Sequence, residues 1–311
     1  MPLLHIKLAE EDNTLRVKAS LQNTKKKFYI PLDEIKTKFH LIYKTLEHIK
    51  TKNETVFQES IHSLSKSILE PIKNFLNEAD HICFSIQPEI VRCTFDLLEW
   101  KDKALFLQFP ITYTVSNFSI ITKPDLEIED AVLVADKTCD PEGACKSLHN
   151  ELSDSEFFKI ENISVEEIVE KTDDISLLLI SAHGDLSNNN TGTIGINKEK
   201  LKSSHLEEID CSLVYFDSCQ MGVNVKFLEA FSEEQSTQYY VAPIISNDAG
   251  DSSTKTIQFF FDELSKTKSP AGSLFYARKK LFKFYTEKGL SIIKVLNKSF
   301  PFRLYEFDME E

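Results

Sequence analysis

The sequence predicts an α/β protein: a mainly parallel sheet covered by helices on both faces. Short, near-continuous apolar runs occur at His81–Ile86, Ala104–Phe109, Ala131–Ala135, Ile175–Ala182, Ser212–Phe216 and Tyr239–Ile245. Such runs suit strands buried on both faces. Between several of them lie segments with apolar residues at helical spacing, at Val165–Lys171, Val223–Ser232 and Thr254–Leu264, with a last one near Ala271–Tyr285. Strand–helix alternation of this kind is the pattern of a parallel sheet with crossover helices.

The chain opens differently. Leu4–Leu8, Leu15–Ala19 and Lys27–Ile30 alternate apolar and polar residues and read as strands, with turns at Asp12-Asn13 and Gln22-Asn23. Ile35, Phe39, Ile42, Leu46 and Ile49 then predict a helix after Asp33 as N-cap. Phe57, Ile61, Leu64, Ile68, Ile72 and Phe75 predict a second, broken or kinked at Pro71. The mildest boundary falls near Lys50–Thr55, which divides the chain into an N-terminal β/helix extension, 1–54, and a main domain, 55–311. No repeat or low-complexity tract is visible.

Composition narrows the function. The 311 residues carry a formal net charge of −13, which argues against a general nucleic-acid binder. No apolar run approaches the ~18 residues of a membrane span. The start contains Glu10, Glu11 and Asp12 and has no apolar signal core, so a cytoplasmic protein is expected. The six cysteines form no CxxC pair and no zinc spacing with histidine. They are expected to be reduced, most of them as small buried residues. Dinucleotide, P-loop, HExxH and GxSxG signatures are absent. This removes the common signatures of dinucleotide, nucleoside triphosphate and serine-hydrolase chemistry, and no cofactor is expected.

Glycine and charge both single out one window. Only eight glycines occur, none before Gly143, and Gly184, Gly192, Gly195, Gly222 and Gly250 fall within 67 residues. Glycine supplies backbone geometry that other residues resist. Residues 151–250 alone carry 6 basic and 19 acidic side chains. That is either a solvated surface or a site that draws a cationic substrate.

Two predicted strands inside this window end in reactive side chains followed by glycine: Leu177–Ala182 runs into His183-Gly184, and Leu213–Phe216 into Asp217-Ser218-Cys219, with Gly222 close behind. In an open α/β sheet, ligands bind outside the carboxyl ends of the strands, so His183 and Cys219 can share a crevice. A cysteine thiol is mostly protonated at neutral pH, and a neighbouring imidazole activates it. A helix starting near Val223 would add a favourable dipole. The N–H groups of Gly184 and Cys219 would hold the oxyanion of a tetrahedral intermediate. Taken singly, each residue has a plainer reading: a buried cysteine, a turn histidine.

The ordered pair, His-Gly and then Asp-Ser-Cys-x-x-Gly, resembles the cysteine peptidases of the caspase, metacaspase and separase group, and within it the CHAT domain. The likeness extends in order through Ser67–Phe75 with His81–Ile86, Ala131–Asp136, Ser181–Gly184, Ser212–Gly222, Tyr239–Asp251, Thr254–Leu264 and Ala271–Leu281, over roughly residues 55–311. The chain departs from the family pattern after Ala242, where Ile244-Ile245-Ser246-Asn247 stands at an expected tryptophan-like position. The resemblance implies a caspase-like fold and a metal-free Cys-His dyad, with Cys219 as nucleophile, His183 as acid/base and Gly184 at the oxyanion hole.

Asp217 shares a strand face with Cys219. In related enzymes acidic residues near here accept a basic side chain before the scissile bond. Asp217, with Asp248 and Asp251 on the next loop, is thus a candidate substrate-binding group; the alternative is that Asp217 caps the following helix. Asp185–Thr191 reads as a mobile loop over the site or as a solvated linker, and Lys25–Lys27 and Arg278–Lys280 as solvated charge. The Lys/Asn/Ile/Phe-rich composition fits an AT-rich genome, and caspase-like peptidases of bacteria often serve in defence. There a sensor gates them and they cleave one protein, a gasdermin-like pore former among the family-type substrates. The expected partners are a protein substrate and a separate activator, with no nucleic acid and no membrane. A non-catalytic interaction module on the same fold is the competing reading.

Overall fold

The computed structural model describes residues 2–115, 125–234 and 236–307. The chain forms two compact units, Met1–Asn117 with Phe282–Phe300, and Phe118–Leu281 with Pro301–Glu311. Residues 1–54 therefore share a unit with residues 55–117.

The first unit begins with an antiparallel meander, β1 (Leu3–Glu11), β2 (Thr14–Leu21) and β3 (Thr24–Pro31). Two-residue turns join the strands, with Asp12, Asn13 and Gln22 at positive φ. Helix α1 (Leu32–Glu47) follows directly. Pro31 precedes it, and Asp33 lies in its first turn without capping through its side chain. Proline's fixed φ can start a helix where a polar cap was expected. Helix α2 (Glu54–Ile68) ends before Pro71, which sits in a 3-10 turn ahead of α3 (Lys73–Glu78), so the expected break is present.

β4 (His81–Ile86) then pairs parallel to β1. The expected strand at Ala104–Phe109 is a correction. Lys103–Ala104 (β6) pairs with Glu99–Trp100 (β5) in a small hairpin, and Leu105–Leu107 is a 3-10 turn. The apolar run there reflects burial of Leu105 and Phe106, not a strand. β7 (Ile111–Thr114) completes the strand order β3-β2-β1-β4-β7.

The second unit is the strand–helix alternation that the sequence predicts. In order come β8 (Ala131–Ala135), α4 (Ala144–Glu151), β9 (Glu156–Lys159), α5 (Val165–Glu170) and β10 (Ile175–Ser181). Ser164 closes a capping box with Glu167 at the start of α5. A three-stranded insert follows, β11 (Gly184–Leu186), β12 (Gly192–Ile196) and β13 (Glu199–Leu201), then α6 (Ser203–Leu206) and β14 (Cys211–Asp217). The unit continues with α7 (Val225–Glu234), β15 (Tyr239–Pro243), α8 (Ser252–Thr267) and α9 (Pro270–Glu287). α10 (Ile292–Ser299) belongs to the first unit, and β16 (Phe302–Glu306) returns to the second. The order is β16-β15-β14-β10-β8-β9, parallel except for β16.

Alternate residues of these strands face opposite layers. Leu133, Leu177, Leu179, Leu213, Tyr215 and Val241 form one core with α4, α8 and α9. On the other face Phe216 meets Phe227 of α7 at 6.0 Å between ring centroids, and Phe231 of α7 meets Tyr240 at 4.9 Å. The fold class is thus α/β, a mostly parallel sheet with helices on both faces.

One local expectation needs correction, and another is made specific. Lys25–Lys27 is exposed, but Arg278 is buried and donates to the Phe302 carbonyl. Residues 185–191 form the end of the β11–β12 hairpin: Ser187 N donates to Thr191 O at 2.8 Å, and Val225 N to Asn190 O at 2.8 Å.

Candidate active site

Three neighbouring strands stop at one level. Ser181 of β10 pairs with Ala135 of β8 on one side and with Asp217 of β14 on the other. Ala182 N still donates to Asp217 O at 3.3 Å, and beyond it the chains leave the sheet. His183 and Cys219 therefore each stand two residues past a paired position. His183 is exposed and Cys219 half-buried, whereas the other five cysteines are buried.

Gly184 joins the two segments. A Cβ there would lie 2.6 Å from the Cys219 carbonyl oxygen and 3.1 Å from its nitrogen. Backbone meets backbone at this point, and any side chain would push the cysteine away. The turn carrying Cys219 closes through Met221 N donating to Ser218 O at 3.2 Å. Gln220 in it has φ 61° and ψ 10°, values typical of the third residue of a type II turn, where glycine is usual. A left-handed residue of this kind costs roughly 1–2 kcal/mol and persists where surroundings enforce it.

Those surroundings are two buried tyrosines: Tyr240 Oη donates to Met221 O at 2.9 Å and Tyr305 Oη to Gly222 O at 2.6 Å. Gly222 lets this contact form, since a Cβ there would lie 2.6 Å from Ala242 O. Helix α7 starts at Val225, after a 3-10 turn at Met221–Val223. It is thus farther from Cys219 than expected, and the dipole acts mainly within the first turn.

Asp217 lies beneath the cysteine and is 4% exposed. Its Oδ1 accepts from Asn247 Nδ2 at 2.7 Å and Ser253 Oγ at 2.6 Å, and its Oδ2 from Ser181 Oγ at 2.7 Å. Burial raises its pKa, while the three hydrogen bonds act the other way. Asp217 caps no helix: α7 begins eight residues later, and Gln220 precedes the intervening 3-10 turn. Asn247 bridges upward, with its Oδ1 3.6 Å from Cys219 Sγ. Asp248 is exposed. Asp251 opens α8, and its Oδ1 accepts from Lys255 Nζ at 3.0 Å.

The third strand end supplies what the sequence reading missed. After β8, Asp136 Oδ1 accepts from both the N–H and the hydroxyl of Thr138, each at 2.7 Å. Thr138 Oγ1 lies 2.9 Å from His183 Nε2. The hydroxyl has one proton and spends it on Asp136, so Oγ1 accepts from Nε2–H. In the neutral ring the lone pair then lies on Nδ1. Burial, with Asp136 adding to it, pushes the neighbouring Cys139 thiol up to about 12. The strand-end rule that found His183 and Cys219 would have found Asp136-Lys137-Thr138-Cys139 as well, had it been applied to Ala131–Ala135.

A separate cavity of about 680 Å³ lies in the first unit, lined by Phe57, Ile61, Leu97, Leu107, Phe282 and Leu296 among others. Its lining includes none of the strand-end residues above.

No family model matches the chain, and no curated protein matches it. Among solved structures, the chain is similar to one described as a complex of Porphyromonas gingivalis RgpB pro- and mature domains. The TM-score is 0.49 and the identity 12%, over 80% of this chain and 68% of that chain. No helix among the described residues is long and apolar enough to cross a membrane.

Proposed function

We propose that this chain is a caspase-like cysteine endopeptidase of the CHAT type, with Cys219 as nucleophile and His183 as general base. The observation that carries the reading is the strand register. Ser181 and Asp217 pair, so the two reactive residues leave adjacent strands at the same level, and Gly184 rests on the backbone of Cys219.

In this mechanism Nδ1 of His183 takes the thiol proton as Cys219 Sγ attacks the scissile carbonyl carbon. The N–H groups of Gly184 and Cys219 hold the resulting oxyanion; one such donor is worth about 3–4 kcal/mol. His183 then passes the proton to the leaving amine, and an acyl-enzyme remains. Water, losing a proton to His183, attacks the thioester and releases the carboxylate and the thiol. No step needs a metal or cofactor. Thr138 and Asp136 act as positioning residues that fix the ring and its tautomer.

The preferred substrate has Arg or Lys before the cut. Asp217 is the anion that such a side chain would meet once Asn247 turns aside, in a window rich in acidic residues. Asp248 and Asp251 would add to the attraction. In the cell the chain acts as a cytoplasmic bacterial defence peptidase, gated by a separate sensor and cleaving one protein of the gasdermin-like type.

The test compares new protein N-termini in host cells expressing the wild type or Cys219→Ala. Termini that depend on Cys219 and follow Arg or Lys are expected. Their absence in both strains, with the wild type challenged by the activating stimulus, would favour a non-catalytic interaction module. A profile dominated by Asp or apolar residues before the cut would overturn the basic preference.

A further inference from the structure

We propose that Asp136, Cys139 and His183 form a binding site for a zinc-type divalent cation, and that the cation holds the enzyme off. The inhibitory consequence rests on His183 being the general base; the binding does not.

A carboxylate oxygen, the Cys139 sulfur and an imidazole nitrogen all lie within 4.8 Å of one another. Tetrahedral zinc, with bonds of about 2.0–2.3 Å, needs such atoms roughly 3.3–3.8 Å apart. Closing that gap takes movement of about an ångström. Two of the ligands come from one tight turn, in which Cys139 N donates to Asp136 O at 3.0 Å, and the third comes from the adjacent strand end.

A polar atom already stands among the three. Thr138 Oγ1 is 2.7 Å from Asp136 Oδ1, 2.9 Å from His183 Nε2 and 4.0 Å from Cys139 Sγ. A rotation of the threonine side chain removes the hydroxyl and leaves its place to a cation. The donor set selects the metal: carboxylate, thiolate and imidazole together suit zinc, whereas calcium and magnesium demand oxygen. On binding, the Cys139 thiol proton goes to solvent.

The consequence follows from the ring. Nε2, which gives its hydrogen to Thr138 in the free protein, must offer a lone pair to the metal. The ring proton then resides on Nδ1, the nitrogen that would otherwise take the proton of Cys219. The cation captures the base without touching the nucleophile.

The experiment titrates zinc chloride into the purified full chain against a chromophoric chelator, and cobalt(II) as a spectroscopic substitute. One equivalent is expected to bind. Asp136→Asn, Cys139→Ser and His183→Ala should each weaken binding by at least the roughly 10–100-fold that loss of even an outer partner costs. Cys219→Ser should leave it intact. The cobalt complex should show a thiolate charge-transfer band that Cys139→Ser removes and Cys219→Ser keeps.

Absence of stoichiometric binding, binding indifferent to Cys139→Ser and Asp136→Asn, or a thiolate band that depends on Cys219 overturns the proposal. His183 is exposed, so its variant carries the test if the buried cysteine proves intolerant of change. Because the readout is binding, a chain without peptidase activity still tests the site.

Discussion

The opening meander of the first unit and the strand ends of the second use unusual backbone differently. No glycine occurs up to residue 117, yet the meander's turns reach positive φ through Asp12, Asn13 and Gln22. In the second, Gly184 and Gly222 are not among the positive-φ residues. They serve where a Cβ would strike another backbone oxygen at 2.6 Å. Aspartate and asparagine can substitute for glycine's conformational range, but no residue substitutes for its missing side chain. Gly184 and Gly222 mark close approach between backbone segments at the strand ends, not freedom to turn.

What holds the strand residues in place differs as well. Phe84 of β4 is held by rings, with Phe95 at 5.7 Å and Tyr113 at 5.2 Å. Asp217 of β14 is held by three hydrogen-bond donors. Phe84→Ala is expected to cost about 3–5 kcal/mol through a cavity, and Asp217→Ala a similar ~3–5 kcal/mol through stranded buried donors. Denaturant unfolding measures both. The two differ in pH dependence. The pKa of Asp217 is raised in the fold, so the folded state binds its proton more readily than the unfolded chain. This group's contribution to stability is full below the unfolded carboxylate value of about 3.9 and is lost as pH rises through the folded value. Asp217→Asn should flatten that slope; an unchanged slope would mean that another group sets it.

Gly184→Ala comes next. Overpacking against Cys219 should cost roughly 1–3 kcal/mol, and, with Cys219 as the proposed nucleophile, its displacement on the order of 10²-fold in kcat. An alanine at Gly143, where nothing lies within 4 Å, suffers only from its positive φ and should leave turnover alone. Equal loss at both positions would erase the distinction between close approach and conformational freedom.

With His183 as the proposed base, Thr138→Val is expected to lower kcat about 10–100-fold. Thr138→Ser should restore it. Smallest is Lys255→Ala, which removes the partly exposed pair with Asp251. It should change the melting free energy by about 0.2–1 kcal/mol.

Much of this was legible in the sequence. His81–Ile86 and Ala131–Ala135 are strands with those bounds, and the strands ending before His183 and Cys219 differ from expectation by a residue or two. Burial on both faces writes a continuous apolar run that few other elements imitate. β16 went unread because Arg303 is its second residue, fully buried and 3.2 Å from Tyr305 Oη; a charged residue reads as surface. Arg278 misled for the same reason. Asn247, Ser253 and Ser181 were invisible as partners of Asp217, since they come from three elements that only the folded sheet brings together.

The hydrogen bond from Tyr305 to Gly222 spans 83 residues of chain. At a synthesis rate of ~5–20 residues per second, the turn bearing Cys219 waits roughly 4–17 s on the ribosome for its last anchor. During that interval the nascent chain already carries His183 and Cys219. The strained Gln220 conformation is then without one of the two bonds that enforce it. The conformation at Gln220 therefore gains the second of its two tyrosine bonds only after β16 has been synthesised.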